Sequence, residues 1–143
     1  MAALTDDRMT PRREGDYRVE GVAAATVIYA GALVMRNAGG YLVKGQTATG
    51  LVGVGVADAR ADNAAGANGA ITARYRAGSF RFANSTAADA ITIAEVGDVC
   101  YAVDDQTVAK THATNTRSAA GIIEAVDAQG VWVRLDEALT KAS

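Results

Sequence analysis

One cysteine, one proline, one histidine and one tryptophan occur in 143 residues, and only 6% of the chain is aromatic. A lone cysteine excludes an internal disulfide framework and suits folding in a reducing cytosol. One histidine beside one cysteine leaves a structural zinc site short of ligands. One proline against fifteen glycines means many tight turns and no proline-rich linker. Neither charge sign dominates: 14 Lys and Arg face 16 Asp and Glu, net −2. The whole molecule is therefore no electrostatic match for nucleic acid. The longest uncharged run, residues 21–35, falls short of the roughly 20 apolar residues of a membrane helix. The opening "MAALTDDRMTPRREGD" is charged from its sixth residue and lacks the apolar segment of a secretory signal. A soluble protein is expected, with no membrane partner.

What is present is β grammar. The length suits one domain, large enough to bury roughly 70% of its unfolded surface. Short apolar runs at 25–30, 32–36, 41–44, 51–58, 70–76, 79–83, 98–103, 107–110, 118–126 and 131–135 are separated by Gly, Asn or Asp clusters. Several alternate with period two, as in Val52/Val54/Val56, Ile71/Ala73/Tyr75, Phe80/Phe82 and Val131/Val133/Leu135. The expected fold is all-β, a small barrel or sandwich built of short hairpins. One short helix is expected near 85–96, capped by Asn84, Ser85 or Thr86.

Three segments follow: an N-terminal arm (1–18), a β-domain (19–135) and a loose C-terminal tail (136–143). The arm mixes Arg8, Arg12, Arg13 and Arg18 with Asp6, Asp7, Glu14 and Asp16, contains Pro11, and has no apolar periodicity. Such a segment buries nothing to offset its ordering entropy. It is either a frayed terminus or an arm that orders on a partner.

An internal echo runs through the domain. "YAGALVMRNAGGYLVKG" and "EVGDVCYAVDDQTVAKT" share one layout: Gly, an alternating strand, a polar turn and a short strand with lysine near its end. Each is followed by a Gly-bearing apolar strand ending in Asp, "LVGVGVAD" or "AAGIIEAVD", then by "NGAITARYR" or "QGVWVRL". Either hairpins reuse one vocabulary, or a β-meander is duplicated.

The chemistry-bearing residues read as punctuation. Asp58, Asp62, Asp104, Asp105 and Asp127 stand at turns, where Asp bonds its own backbone. Cys100 lies mid-strand, where a packing thiol is the default. His112 sits in a polar loop, "KTHATNTR", without apolar walls to tune it as a base. The glycines of "GLVGVGVAD" have the wrong spacing for a dinucleotide loop. No cofactor, no metal and no catalysis are expected.

A charged surface is left over. In "ITARYRAGSFRFA" the apolar faces agree if a hairpin closes around Ala77-Gly78 with Tyr75 opposite Phe80. That register sets Arg74 opposite Arg81 with Arg76 beside them, a mildly repulsive arrangement. Either the arginines splay into water, or a carboxylate-rich partner covers them. On the last strand Trp132 and Arg134 share one face, and an outward Trp beside an Arg is a common interface anchor.

The arm "LTDDRMTPRREGD" and the stretches "VIYAGALVMRNAGGYLVKG", "GDVCYAVDDQTVAKT" and "TRSAAGIIEAVDAQGVWVRL" resemble head decoration, or cement, proteins of Mu-like tailed phages and prophages. The resemblance implies a β-rich structural protein, trimeric, on the outer face of a virion head. It implies the major capsid protein and further copies of the chain itself as partners. Its capsid contacts would fall to Arg8, Pro11, Arg12, Arg13, Arg74, Arg76, Arg81, Trp132 and Arg134. Two other functions remain open. A carbohydrate-binding or adhesin-like module of a phage tail or baseplate would stack sugar on Trp132 and Tyr101. A small-molecule barrel would need a roomy apolar interior.

Overall fold

A computed structural model describes residues 2–13 and 15–143; of the expected arm, Met1 and Glu14 lie outside the described residues. The chain is all-β. Its strands are β1 Tyr17–Gly21, β2 Thr26–Ile28, β3 Leu33–Arg36, β4 Leu42–Lys44, β5 Val52–Ala57, β6 Ala61–Asn63, β7 Thr72–Arg76, β8 Gly78–Phe82, β9 Val99–Ala102, β10 Val108–Ala109, β11 Ala119–Asp127 and β12 Gly130–Leu135. One short helix, α1 Glu137–Ala142, ends the chain.

The strands form two five-stranded antiparallel sheets and one two-stranded ribbon, β2-β6. The first sheet runs β1-β7-β5-β3-β4 and the second β8-β12-β11-β9-β10. These are the same order, strand for strand. The registers repeat as well. Val34↔Gly55 and Met35↔Gly53 in the first sheet match Cys100↔Gly121 and Tyr101↔Ala119 in the second. Both pairings skip one residue, Val54 and Ala120, so both sheets carry a bulge at the same place. Val56↔Arg76 matches Ile122↔Arg134, and Val19↔Arg74 matches Arg81↔Trp132. In each half one parallel bridge, Val22↔Leu42 or Ala83↔Thr107, brings the two ends of the strand order together. Each half is thus a sheet curled until its edges touch. The echo in the sequence is a repeated five-strand unit.

Two apolar clusters fill the molecule. One lies within the first unit, around Val22, Ile28, Val34, Leu42, Val54 and Tyr75. The other fills the second unit with Phe82, Ile91, Ile123, Val131, Val133 and Leu135, and takes Leu33, Met35 and Val43 from the first. Strand β3 is buried on both faces, since Leu33 and Met35 belong to one cluster and Val34 to the other. It is the wall that the units share.

Four expectations change. First, Tyr17 and Arg18, counted in the arm, belong to β1, which pairs with β7 throughout. Second, 72–82 is no hairpin. β7 pairs with β1 and β5, whereas β8 pairs with β12, so the chain passes from one sheet directly into the other. Gly78, at φ +132, makes that passage, and Tyr75 and Phe82 enter different clusters. Third, 136–143 is no loose tail. The Asp136 side chain caps α1 by accepting from Leu139 N at 3.0 Å, and Thr140 is buried. Fourth, the expected helix at 85–96 is two 3₁₀ turns, Ala87–Asp89 and Ile93–Glu95; the second is closed by a capping box between Thr92 and Glu95.

A half-buried ion cluster docks both ends of the domain. Arg36 on β3 bonds Glu137 of α1 through Nε (2.6 Å) and Nη2 (3.2 Å), and pairs with Glu20 of β1. The Tyr75 hydroxyl donates to Glu20 at 3.0 Å. Burial pushes the Glu20 carboxyl up, but the bonds from Arg36 and Tyr75 and the charges of Arg36 and Arg13 outweigh it, so it sits below the ordinary glutamate range. Burial, then the bond to Glu20, raises the Tyr75 phenol to about 12.

Candidate interaction surface

The thiol and three of the five turn aspartates are accounted for within the fold, and a fourth, Asp58, pairs with Arg74. Asp62 Oδ1 accepts from Ala64 N, Asp104 Oδ1 from Gln106 N, and Asp127 Oδ1 from Gln129 N and Gly130 N. These are turn bonds of the kind Asp makes to its own backbone. Cys100 is fully buried, and burial pushes its thiol up to about 12. His112 Nδ1 accepts from Asn115 N at 2.8 Å, and its ring meets Tyr101 edge-on at 5.7 Å. Among the described residues, no three His, Cys, Asp or Glu side chains come together as a metal site. No helix among them is long and apolar enough to cross a membrane.

The surface residues fall into two groups. β7 alternates in burial: Ala73 and Tyr75 point in, while Thr72, Arg74 and Arg76 point out. On β1 the outward residues beside them are Tyr17 and Val19, 43% and 55% exposed. Arg74 lies over the Tyr17 ring at 3.8 Å and Arg76 at 5.3 Å. Asp58 pairs with Arg74 at 3.5 Å.

The second group stands on β8 and β12. Val131, Val133 and Leu135 are buried, and Trp132 and Arg134 face outward. Arg81 is opposite Trp132, its guanidinium 5.7 Å from the ring, and it donates to Gln129 Oε1 at 2.7 Å. Trp132 Nε1 donates to Asp127 Oδ2 at 3.1 Å, which fixes the indole at the surface. Backbone N–H from Gln129, then the Trp132 bond, holds the Asp127 carboxyl below its usual range. Arg134 lies 3.6 Å from Asp136.

The expected opposition of Arg74 and Arg81 is therefore absent. The partner of Arg74 is Val19 and that of Arg81 is Trp132. Tyr17 was missed because residues 1–18 read as arm, and Val19 because the first strand was expected only at 25–30. The signal available was the alternation of Tyr17 and Val19 with Arg18 and Glu20.

The arm residues Arg8, Pro11, Arg12 and Arg13 are exposed, within a segment, 2–13, that has no helix or strand. Its apolar members are uncovered: Leu4 is 71% and Met9 96% exposed. The charge of Arg13 adds to those that hold the Glu20 carboxyl below its ordinary range. Comparison with protein-family models, with curated proteins and with solved structures gives no match for this chain.

Proposed function

We propose that the chain is a capsid decoration, or cement, protein, which binds the outer surface of a phage head and stabilises the shell by bridging capsid subunits. The observation that carries the reading is a packed β body whose exposed aromatic and arginine side chains lie on fixed strands, extended by an exposed arm. Rigid aromatic–Arg surfaces are the composition of binding anchors. The resemblance to Mu-like head proteins supports the same reading. Bound copies add stability to the shell by linkage. A trimer would carry three arms, and weak contacts then combine through effective concentration. The partners are the major capsid protein and further copies of this chain; the role is structural rather than catalytic, and the location is the virion surface.

The carbohydrate-binding alternative needs Trp132 and Tyr101 together. Tyr101 pairs with Ala119 and Trp132 with Ala125, toward opposite ends of β11. Tyr101 is also packed against His112. The test is co-sedimentation of purified protein with expanded shells of the major capsid protein from the same genome. Saturable binding and a raised shell melting temperature are expected; no binding at micromolar protein would refute the reading.

A further inference from the structure

The repeat exposes the same four positions twice. In the first unit they are Tyr17 and Val19 on β1, with Arg76 and Arg74 opposite. In the second they are Ser79 and Arg81 on β8, with Arg134 and Trp132 opposite. The equivalence follows from register, since Arg76 pairs with Val56 as Arg134 pairs with Ile122. It is reinforced by Gly55 and Gly121, where an added Cβ would strike the Arg76 and Arg134 carbonyls respectively. We infer that these are two binding faces of one kind, making each chain bivalent toward protein surfaces that present carboxylates. This deepens the decoration reading and rests on it.

Each face holds one exposed aromatic side chain and two arginines, on a strand pair whose alternate residues are packed inward. The intervening residues Ala73 and Tyr75, or Val131 and Val133, are buried. The backbone that carries the outward side chains is thus fixed before binding, which lowers the ordering cost. The resident acids have structural partners: Asp58 with Arg74, Asp136 with Arg134, Asp127 with Trp132, and Glu124 with Ser79. Among the described residues no carboxylate lies within ion-pair distance of Arg76 or Arg81; Arg81 donates to Gln129 and its charge acts on Asp127, so each face keeps one guanidinium without an ion pair rather than without contacts. A guanidinium stacked on a ring still presents its N–H fork at the edge, the geometry that grips a carboxylate in two places.

The same details select the partner class. A sugar would stack on the open aromatic face, but Arg74 already covers Tyr17 at 3.8 Å. A polyphosphate would meet Asp58, Glu124, Asp127 and Asp136 around the arginines, in a chain of net charge −2. A protein surface with isolated Asp or Glu side chains fits both the forks and the acidic rim. Two such faces on one chain can hold two copies of a repeated partner.

The test uses the full-length chain and a capped peptide with two glutamates separated by a Gly-Ser spacer, at low salt, followed by two-dimensional NMR. Wild type should show two separate patches of shifted amides, around 17–19/74–76 and around 79–81/132–134. The indole N–H of Trp132, the one tryptophan, reports on the second patch alone. Arg74→Ala with Arg76→Ala should remove the first patch and leave the indole response. Arg81→Ala should do the reverse, with melting curves of all variants matching wild type. One patch, no saturable shift, or stronger displacement by oligothymidylate than by the spaced-glutamate peptide would overturn the proposal. On capsid shells each one-face variant should bind about tenfold more weakly, and the triple variant should not bind; unchanged binding by both one-face variants would also overturn it. Two peptide patches with no shell binding by wild type would leave the two faces standing and remove the decoration reading.

Discussion

Gly53 of β5 lies against the backbone of Ala120 of β11, and a Cβ built at Gly53 would collide with the Ala120 carbonyl. The two residues come from the matching bulge regions of the two units, so the units meet where a side chain is missing. A backbone obstacle cannot rotate away as a flexible side chain can. Gly53→Ala should therefore destabilise the fold by about 3 kcal/mol, lowering the melting temperature by roughly 10 °C for a chain of this size. Gly39→Ala, whose added Cβ meets only ordinary contacts with Asn37 and Tyr41, should shift stability by less than about 0.5 kcal/mol. Denaturant titrations of both variants give the comparison; equal midpoints would contradict the close approach.

The cluster around Arg36 predicts an acid limb. Glu20 is held below its ordinary range in the folded chain, so its contribution is present above the unfolded glutamate pKa. It is lost as pH falls through that range toward the folded value. Glu20→Gln should flatten the stability profile below about pH 4.5 while lowering stability at neutral pH. Arg36→Met leaves Glu20 and Glu137 partly buried without their cation. It should cost about 2 kcal/mol, less than the 3–5 of a fully buried pair because solvent still reaches these side chains. Melts from pH 3 to 8 would reveal it, and parallel curves for wild type and Glu20→Gln would count against the cluster.

The alternating strands were legible because burial on one face writes itself into the order of residues. Val131, Val133 and Leu135 are buried while Trp132 and Arg134 are not, as period two requires. Strand β6, Ala61–Asn63, carries no such signal. It is held by the buried Asn63 amide, which donates to the Val22, Ala23 and Ala67 carbonyls, a long-range arrangement no local pattern encodes. The error at 72–82 has another cause. Neighbouring strands usually pair, and alternation continues across Ala77-Gly78 whether the chain folds back or crosses to a second sheet. Both surface faces were half visible: their arginines and Trp132 stood out, but the grouping of Tyr17 with Arg74 depended on β1. The terminal helix did have a readable start, in Asp136 as cap, Glu137 in the first turn and Lys141 in the last.

Cys100 gives a direct probe of the shared core. Its side chain is fully buried and its thiol raised to about 12, so the reactive thiolate is scarce and covered. Native protein at pH 8 should react with an aromatic disulfide reagent at least about a hundredfold more slowly than unfolded protein, the ratio tracking the opening equilibrium. Fast labelling without denaturant would mean that the second unit opens readily or that the cysteine lies elsewhere.

Two truncations separate arm from strand. Deleting residues 2–13 removes exposed chain and the small charge contribution of Arg13 to Glu20, and the isolated domain should keep its stability to within about 0.5 kcal/mol. Deleting residues 2–18 also removes Tyr17 and Arg18 from β1, uncovering the edge of β7 and the ring-stacked Arg74 and Arg76. That deletion should lower the melting temperature by several degrees, because ladder bonds and packing at the edge are lost together. Pro11 fixes one backbone angle and biases Thr10 toward extended structure, which reduces the cost of ordering the arm along a groove or beside a capsid strand. The shorter deletion should therefore weaken shell binding by at least about tenfold, roughly 1.4 kcal/mol, with no change in domain stability to explain it. If the protein without residues 2–13 decorates shells as tightly as the full chain, the arm takes no part in binding, and the faces on β1, β7, β8 and β12 must account for all of it.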